Sequence, residues 1–289
     1  MVKRDGKTAT DDVGTTGHEW DGIEELNKPL PKWWLYIFYA TVIWAIGYWI
    51  VYPAWPTVSG YTKGYFGYSQ RKEVVEELAK AQMAKAEFRE RIAESDMAAI
   101  QADPELLNFA MAGGAAAFGD NCAPCHGRGA QGSVGYPNLR DDAWLWGGSL
   151  DAIHQTIRHG IRADDPETRN SQMPAFGQLG MLKPKQVSDV AEYVLFLSDN
   201  AEDGDAAARG KELYAANCAA CHGPEGEGNQ ALGAPDLSDE LWLYGGDKAA
   251  IVETVTNSRS GMMPAWNERL DAATVKELAI YVHSLGGGQ

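Results

Sequence analysis

A chain of 289 residues has room for about two domains, and its 45% hydrophobic content is ordinary for a folded protein. The net charge of −15 is unevenly spread, with 12 basic and 15 acidic groups in residues 1–103, 7 and 11 in 104–199, and 6 and 14 in 200–289. A surface this acidic excludes nucleic acid as a partner and attracts basic proteins, and because the four cysteines all lie in two short motifs, none is left for a separate disulfide framework.

The first element in chain order is the apolar run Trp33 to Tyr52, WWLYIFYATVIWAIGYWIVY, which holds 20 residues without a charge. At about 1.5 Å per residue it forms a helix of roughly 30 Å, the thickness of a bilayer's hydrocarbon core. Trp33, Trp34 and Tyr36 at one end, and Tyr48, Trp49, Tyr52 and Trp55 at the other, form the aromatic belts expected at membrane interfaces. Lys28 and Lys32 precede the run and the next basic residue is Lys63, so the N-terminus is expected in the cytoplasm. Pro53 and Pro56 stand where a signal peptide would carry a small-residue cleavage site, which makes the run an uncleaved anchor. These signals divide the N-terminal part into a cytoplasmic tail at 1–32, a transmembrane anchor at 33–55 and a linker at 56–104.

In the linker, YPAWPTVSGYTKGYFGYS reads as irregular chain near the membrane surface. The stretch from Ser69 to Gln101 is dense in Ala, Glu, Lys and Leu and has no Gly or Pro, with Val74, Leu78, Ala81 and Lys85 at helical spacing. It reads as one amphipathic, solvated helix that stands off or braces the globular part and ends at Asp103-Pro104.

A duplication follows. GAAAFGDNCAPCHG matches GKELYAANCAACHG, so that Gly114 and Gly210 stand eight residues, and Phe118 and Tyr214 four residues, before the first cysteine of each copy. Farther on, YPNLRDDAWLWGGSLDAIHQTI matches APDLSDELWLYGGDKAAIVETV, QMPAFG matches MMPAWN, and VSDVAEYVLFLS matches VKELAIYVHSLG. Each copy is expected to be one small domain of short helices and Gly-rich loops, and the first carries extra chain in RHGIRADDPETRNSQ.

C-x-x-C-H is the attachment sequence of c-type haem. Each thiol adds across a porphyrin vinyl group, two-residue spacing sets both sulfurs along one haem edge, and the next histidine lies under the iron. Cys122, Cys125 and His126 form the first motif, and Cys218, Cys221 and His222 the second. A thioether sulfur is the usual second axial ligand in electron-transfer cytochromes and raises the potential. Met173 lies 47 residues after His126, and Met263 lies 41 after His222, each before a proline. His159 rivals Met173, and Met262 stands beside Met263. A zinc site would have to borrow a fourth ligand from His154, His159 or the other copy, and a thioredoxin-like pair would need neither the histidine nor the repeat. His18, His154 and His283 read as surface or helix-face residues. Pro137 and Pro235 offer carbonyls for the proximal imidazoles' other N–H, and Trp144 and Trp242 offer bulk that excludes water or packs the core.

Gly and an aromatic ahead of the motif, Pro-x-Leu after it and Met-Pro beyond make each copy similar to a class I cytochrome c domain. With GHEWDGIEELNKPLPKWWLYIFYATVIWAIGYWIVYPAWP from Gly17, nearly the full chain resembles the dihaem subunit of cbb3-type cytochrome c oxidases, the CcoP or FixP family. The resemblance implies an all-α fold, with a single transmembrane helix followed by two tandem cytochrome c domains at 105–200 and 201–289. It implies two covalently bound haem c groups, one on Cys122, Cys125, His126 and Met173, the other on Cys218, Cys221, His222 and Met263. It also implies a subunit of the inner membrane with periplasmic haem domains and no active site of its own. Electrons would come from a donor cytochrome c and pass to the monohaem subunit and on to the haem-copper subunit, which reduces oxygen and moves protons. The expected partners are these two subunits, the donor and membrane lipid. Two other readings stay open: a dihaem peroxidase, which needs an open iron position, and an anchored cytochrome serving another dehydrogenase or reductase.

Overall fold

The computed structural model describes residues 13–287, so residues 1–12 of the expected cytoplasmic tail lie outside the described residues. The chain divides into a unit ending at Gln82 and a unit beginning at Met83.

The first unit opens on an antiparallel hairpin, β1 (Thr15–Trp20) and β2 (Ile23–Leu26), closed by the pair Trp20 and Ile23. Its two-residue turn is Asp21-Gly22, both with positive φ (50° and 82°), which is the mirror-image turn whose twist suits a hairpin and which Asp-Gly favours. Next, α1 (Lys32–Val51) occupies the expected anchor, with no buried side chain. It is the one helix among the described residues long and apolar enough to cross a membrane. The chain then folds back on the helix end: Tyr65 and Phe66 donate their N–H groups to the carbonyls of Ile50 and Val51 at 3.0 and 3.2 Å, satisfying acceptors that a helix terminus leaves unpaired. Gly64 (φ +67°) makes this return possible, because a Cβ there would collide with the Val51 carbonyl and the Tyr52 backbone. A minimal hairpin, β3 (Pro56–Thr57) and β4 (Gly60–Tyr61), lies within the segment expected to be irregular. Aromatic rings gather there, with Trp49 4.7 Å from Trp55, and Tyr52 5.8 and 5.6 Å from Phe66 and Tyr68.

The helix α2 (Gln70–Glu94) runs from the first unit into the second. The single helix expected up to Gln101 is broken, because Asp96 leaves the helical backbone and accepts the Ala99 N–H at 2.6 Å, capping α3 (Met97–Ala102). Asp103 repeats the device for α4 (Pro104–Asn121), accepting from Glu105 and Leu106 with proline in the first turn. In the second unit one face of the last turns of α2 is packed, while Glu90, Ala93 and Glu94 stay exposed. Ile92 is fully buried, Phe88 stacks on Phe109 at 4.9 Å, and Arg89 donates to Asp271 at 2.5 Å.

The rest of the second unit is helical: α5 (Ala123–His126), α6 (Leu150–His159), α7 (Pro184–Leu197), α8 (Gly204–Asn217), α9 (Ala219–His222), α10 (Lys248–Asn257) and α11 (Ala272–His283). Its packing departs from the expectation that each copy folds on itself. The first copy's opening helix α4 packs against the second copy's closing helix α11, and the second copy's opening helix α8 packs against the first copy's α7. Both crossings are made at the repeated glycine. A Cβ on Gly114 would run into the Glu277 carbonyl and lie 2.6 Å from Tyr281 Cβ, and one on Gly210 would run into the Asp189 carbonyl and lie 2.9 Å from Tyr193 Cβ. The repeated aromatics meet the same partners, Phe118 with Tyr281 at 5.5 Å and Tyr214 with Tyr193 at 5.1 Å.

Two cores result. One draws on residues 97–157 and 263–285, and the other on the unbroken stretch 173–255. The second is therefore a circularly rearranged domain inserted into the first. Such exchange of equivalent elements costs little, because each helix finds the same kind of contacts in either place and the cost falls on the connections. The extra chain of the first copy supplies that connection. Arg162 holds it, donating to the carbonyls of Gly261 at 2.6 Å and Ser171 at 2.8 Å.

Candidate functional site

In each core a cysteine closes the long helix and opens a single turn. Cys122 ends α4, its carbonyl accepts the His126 N–H at 2.9 Å, and Gly127 (φ 79°) turns the chain away after the histidine. Cys218, His222 and Gly223 (φ 79°) repeat this at the end of α8, with 3.0 Å between the His222 N–H and the Cys218 carbonyl. In each pair the first thiol is the more enclosed, while Cys125 and Cys221 are exposed. Burial pushes the thiols of Cys122 and Cys218 up to about 11.

The imidazoles are fixed from behind. His126 Nδ1–H donates to the Pro137 carbonyl at 2.9 Å, and His222 Nδ1–H donates to the Pro235 carbonyl at 3.0 Å. A carbonyl can only accept, so the proton sits on Nδ1 and the Nε2 lone pair is left for a metal. Burial lowers both histidine pKa values, outweighing the carbonyl contacts, so the rings stay neutral. These are the carbonyl contacts to the imidazoles expected of Pro137 and Pro235.

The methionines complete the cores, in an order the linear motifs do not suggest. Met263 packs in the cluster that holds Cys122, Ala123, Leu139 and Trp144. Met173 packs in the cluster that holds Cys218, Ala219, Leu237 and Trp242. The expected grouping of Met173 with Cys122, Cys125 and His126, and of Met263 with Cys218, Cys221 and His222, is therefore not the arrangement of the fold. Met262 is 69% exposed and belongs to neither core cluster. His159 is buried with Nδ1 2.9 Å from Asp165 Oδ1 and Nε2 3.2 Å from Glu167 Oε2, so neither ring nitrogen is available as a rival ligand. His154 lies on α6, half-buried beside Arg158 and Lys276, and His18 is exposed on β1.

Two residues of the pocket went unrecognised in the sequence. Arg169 and Arg259 each stand four residues before a methionine of a Met-Pro step. The Arg169 guanidinium lies 5.4 Å from the Trp146 ring and donates to the Ala152 carbonyl at 3.2 Å, leaving its buried Nε without a partner. Arg259 lies 4.9 Å from the Tyr244 ring and donates to the equivalent Ala250 carbonyl at 2.7 Å. The common spacing before Met-Pro was the available signal.

The donor set fits haem c. Each core offers two thiols at one edge, a neutral imidazole with a free Nε2 and a thioether, and the unsatisfied Arg169 Nε suits an anionic propionate. Among the described residues no group of three or more His, Cys, Asp and Glu side chains is placed to hold a metal ion.

Comparison with known proteins agrees with this chemistry. The family model described as the N-terminal domain of cytochrome oxidase-cbb3, FixP, matches residues 12–59. The model of cbb3-type cytochrome c oxidase subunit III matches twice, at 109–194 and 205–282. The chain is 54% identical to the cbb3-type cytochrome c oxidase subunit FixP of a Bradyrhizobium strain, over 96% of each chain. It is 56% identical to FixP of Azorhizobium caulinodans, over 95% of this chain and 94% of that one. Identity to the subunit CcoP of Azospirillum brasilense is 53%, over 98% of both.

Proposed function

The chain belongs to the family of cbb3-type cytochrome c oxidase subunit III, and from that premise we propose that it is the oxidase's membrane-anchored dihaem electron relay. As a c-type cytochrome it binds haem c covalently and works in complex with other oxidase subunits. The observation that carries the dihaem reading is the repeated arrangement of a cysteine pair, a histidine fixed by a proline carbonyl (half-buried at His126, buried at His222), and a methionine in the same core.

On this reading Cys122 and Cys125, and Cys218 and Cys221, form the thioether bonds, His126 and His222 are proximal ligands, and Met173 and Met263 are the sulfur donors. When bound, haem c supplies a one-electron iron couple. The chain's own residues fix the imidazoles through Pro137 and Pro235, exclude water with Trp144 and Trp242, and offer thioether sulfur, which favours a high potential. The relay receives electrons from a donor cytochrome c and delivers them to the monohaem subunit, and oxygen reduction and proton movement belong to the catalytic subunit. The lysines before α1 support an N-terminus in the cytoplasm, hence haem domains in the periplasm. Lipid surrounds α1.

Covalent haem staining and iron content test the reading, with two haems per chain expected and zinc or one haem counting against it. A relay with both irons saturated should bind carbon monoxide poorly in the reduced form, whereas a peroxidase with an open position would bind it readily. The acidic residues of 200–289 are the proposed docking face for a basic donor, so turnover should fall as salt shortens the screening length below about 10 Å.

A further inference from the structure

We propose that Trp146 and Tyr244 are positioning residues that act across the repeat. Trp146 of the first copy holds the loop that aims the Pro235 carbonyl at His222, and Tyr244 of the second copy holds the loop that aims the Pro137 carbonyl at His126. This rests on the reading that both motifs carry haem, and adds a means by which each copy sets the potential of the other copy's iron.

Behind each histidine the chain makes the same small loop. The Gly132 N–H donates to the His126 carbonyl at 2.8 Å, Ser133 and Tyr136 exchange backbone bonds at 3.0 and 2.8 Å, and Pro137 follows. In the second copy the Gly228 N–H donates to the His222 carbonyl at 2.8 Å, Asn229 and Ala234 exchange bonds at 2.9 and 3.0 Å, and Pro235 follows. Two residues before each proline stands a glycine in the left-handed region, Gly135 (φ 84°) and Gly233 (φ 61°), and each lies against the other copy. A Cβ on Gly233 would run into the Trp146 indole, and one on Gly135 would lie 3.5 Å from Tyr244 Cε1. Trp146 and Tyr244 occupy the same place in WLWGG and WLYGG. Each ring is backed by a guanidinium of its own copy, Arg169 at 5.4 Å and Arg259 at 4.9 Å. The contacts therefore run from arginine to ring to glycine and, two residues on, to the carbonyl that accepts the imidazole Nδ1–H. Tyr244 has help, because the Gly135 N–H also donates to the Leu243 carbonyl at 2.8 Å, whereas the Gly233 N–H turns back to Gln230 at 3.4 Å. A carbonyl that takes the Nδ1 proton makes the imidazole a more basic ligand, and a more basic ligand favours the oxidised iron and lowers its potential. Loosening a loop should therefore weaken the bond and raise the potential in the copy that the ring does not belong to.

The test uses the full dihaem chain. Covalent haem staining is read first, so that a missing haem in the parent chain counts against the dihaem reading and not against the positioning. In the reduced protein, NMR follows the Nδ1–H resonances of His126 and His222 separately. Trp146→Leu should shift the His222 resonance upfield, speed its exchange with solvent and raise the midpoint potential of the haem on Cys218 and Cys221, with His126 unmoved. Tyr244→Leu should do the same to His126 alone, by a smaller shift because the Leu243 bond remains. Trp146→Phe should recover most of the parent value. Should Trp146→Leu fail to fold, Trp146→Phe decides, since the smaller ring leaves part of a gap over Gly233 and should give the His222 shift at reduced size. No shift at His222, equal shifts at both histidines, or a shift confined to the substituted residue's own copy would overturn the proposal.

Discussion

Asp189 on α7 and Glu277 on α11 occupy the same position of the repeat, and their surroundings hold them in opposite states. Asp189 accepts from Arg209 at 2.7 and 3.2 Å and from Lys185, and these hydrogen bonds, Arg209 first, hold its carboxyl below the usual range. Glu277 has Arg89 no nearer than 3.6 Å, and burial pushes its pKa up to about 7. A carboxyl whose folded pKa exceeds its unfolded value keeps a proton that the unfolded chain has released. Stability therefore falls as pH rises from the unfolded value, near 4.5, to about 7, and is level above that. Glu277→Gln should be more stable than the parent at pH 8 by roughly 1–2 kcal/mol, after discounting for screening on the Arg89 side, and equal to it near pH 4.5. Urea denaturation at the two pH values checks this, and a variant less stable at pH 8 would contradict it. At this scale the sequence was informative wherever chemistry dictates a residue type, as with the cysteine pairs, the histidines and the proline carbonyls behind them. It was mute on Glu277, because nothing in the local sequence tells a buried carboxylate from an exposed one.

Among elements, the glycine and aromatic ahead of each motif mark a helix crossing and not part of the haem attachment. Alanine in place of glycine on an exposed helix would add about 1 kcal/mol of stability. At Gly114 or Gly210 the new methyl would instead meet a carbonyl and a tyrosine on the crossing helix, and overpacking costs about 1–3 kcal/mol. Gly114→Ala and Gly210→Ala should therefore each lower the melting temperature, by similar amounts because the two crossings are equivalent. A rise in either would show that the helices do not approach there. Element boundaries were legible where a specific residue sets them, as at Asp103-Pro104 and at Pro53. The hairpin at Asp21-Gly22 and the break at Asp96 carried signals just as clear but were masked, the first by its polar flanks and the second by the helical composition on both sides.

Over the whole molecule, anchor, linker helix and repeat could all be read in the sequence, but the connectivity of the cores could not. The reason is degeneracy: two similar copies offer each helix two equivalent berths, so patterns of glycine, aromatic and methionine are satisfied by either pairing. Connection length and backbone pairing break the tie, through the Ile161 and Met263 bonds and the Arg162 clasp. A chain truncated after Asn200 tests this. It keeps the complete first copy by sequence, yet lacks Met263, Val275, Leu278 and Val282 of the core around Cys122. It should be unstable, with weak near-ultraviolet circular dichroism, whereas a fully cooperative fold in that fragment would mean that the first copy closes on itself.

The interrupted core also bears on biogenesis. Chains usually fold in the order in which they emerge, amino end first. Here the pocket encoded later is complete once Val255 is available, while the pocket encoded earlier stays unfinished until the last helix arrives. If folding follows emergence, maturation should run against the direction of synthesis, with the earlier cysteine pair accessible for longer than the later pair to whatever installs its prosthetic group.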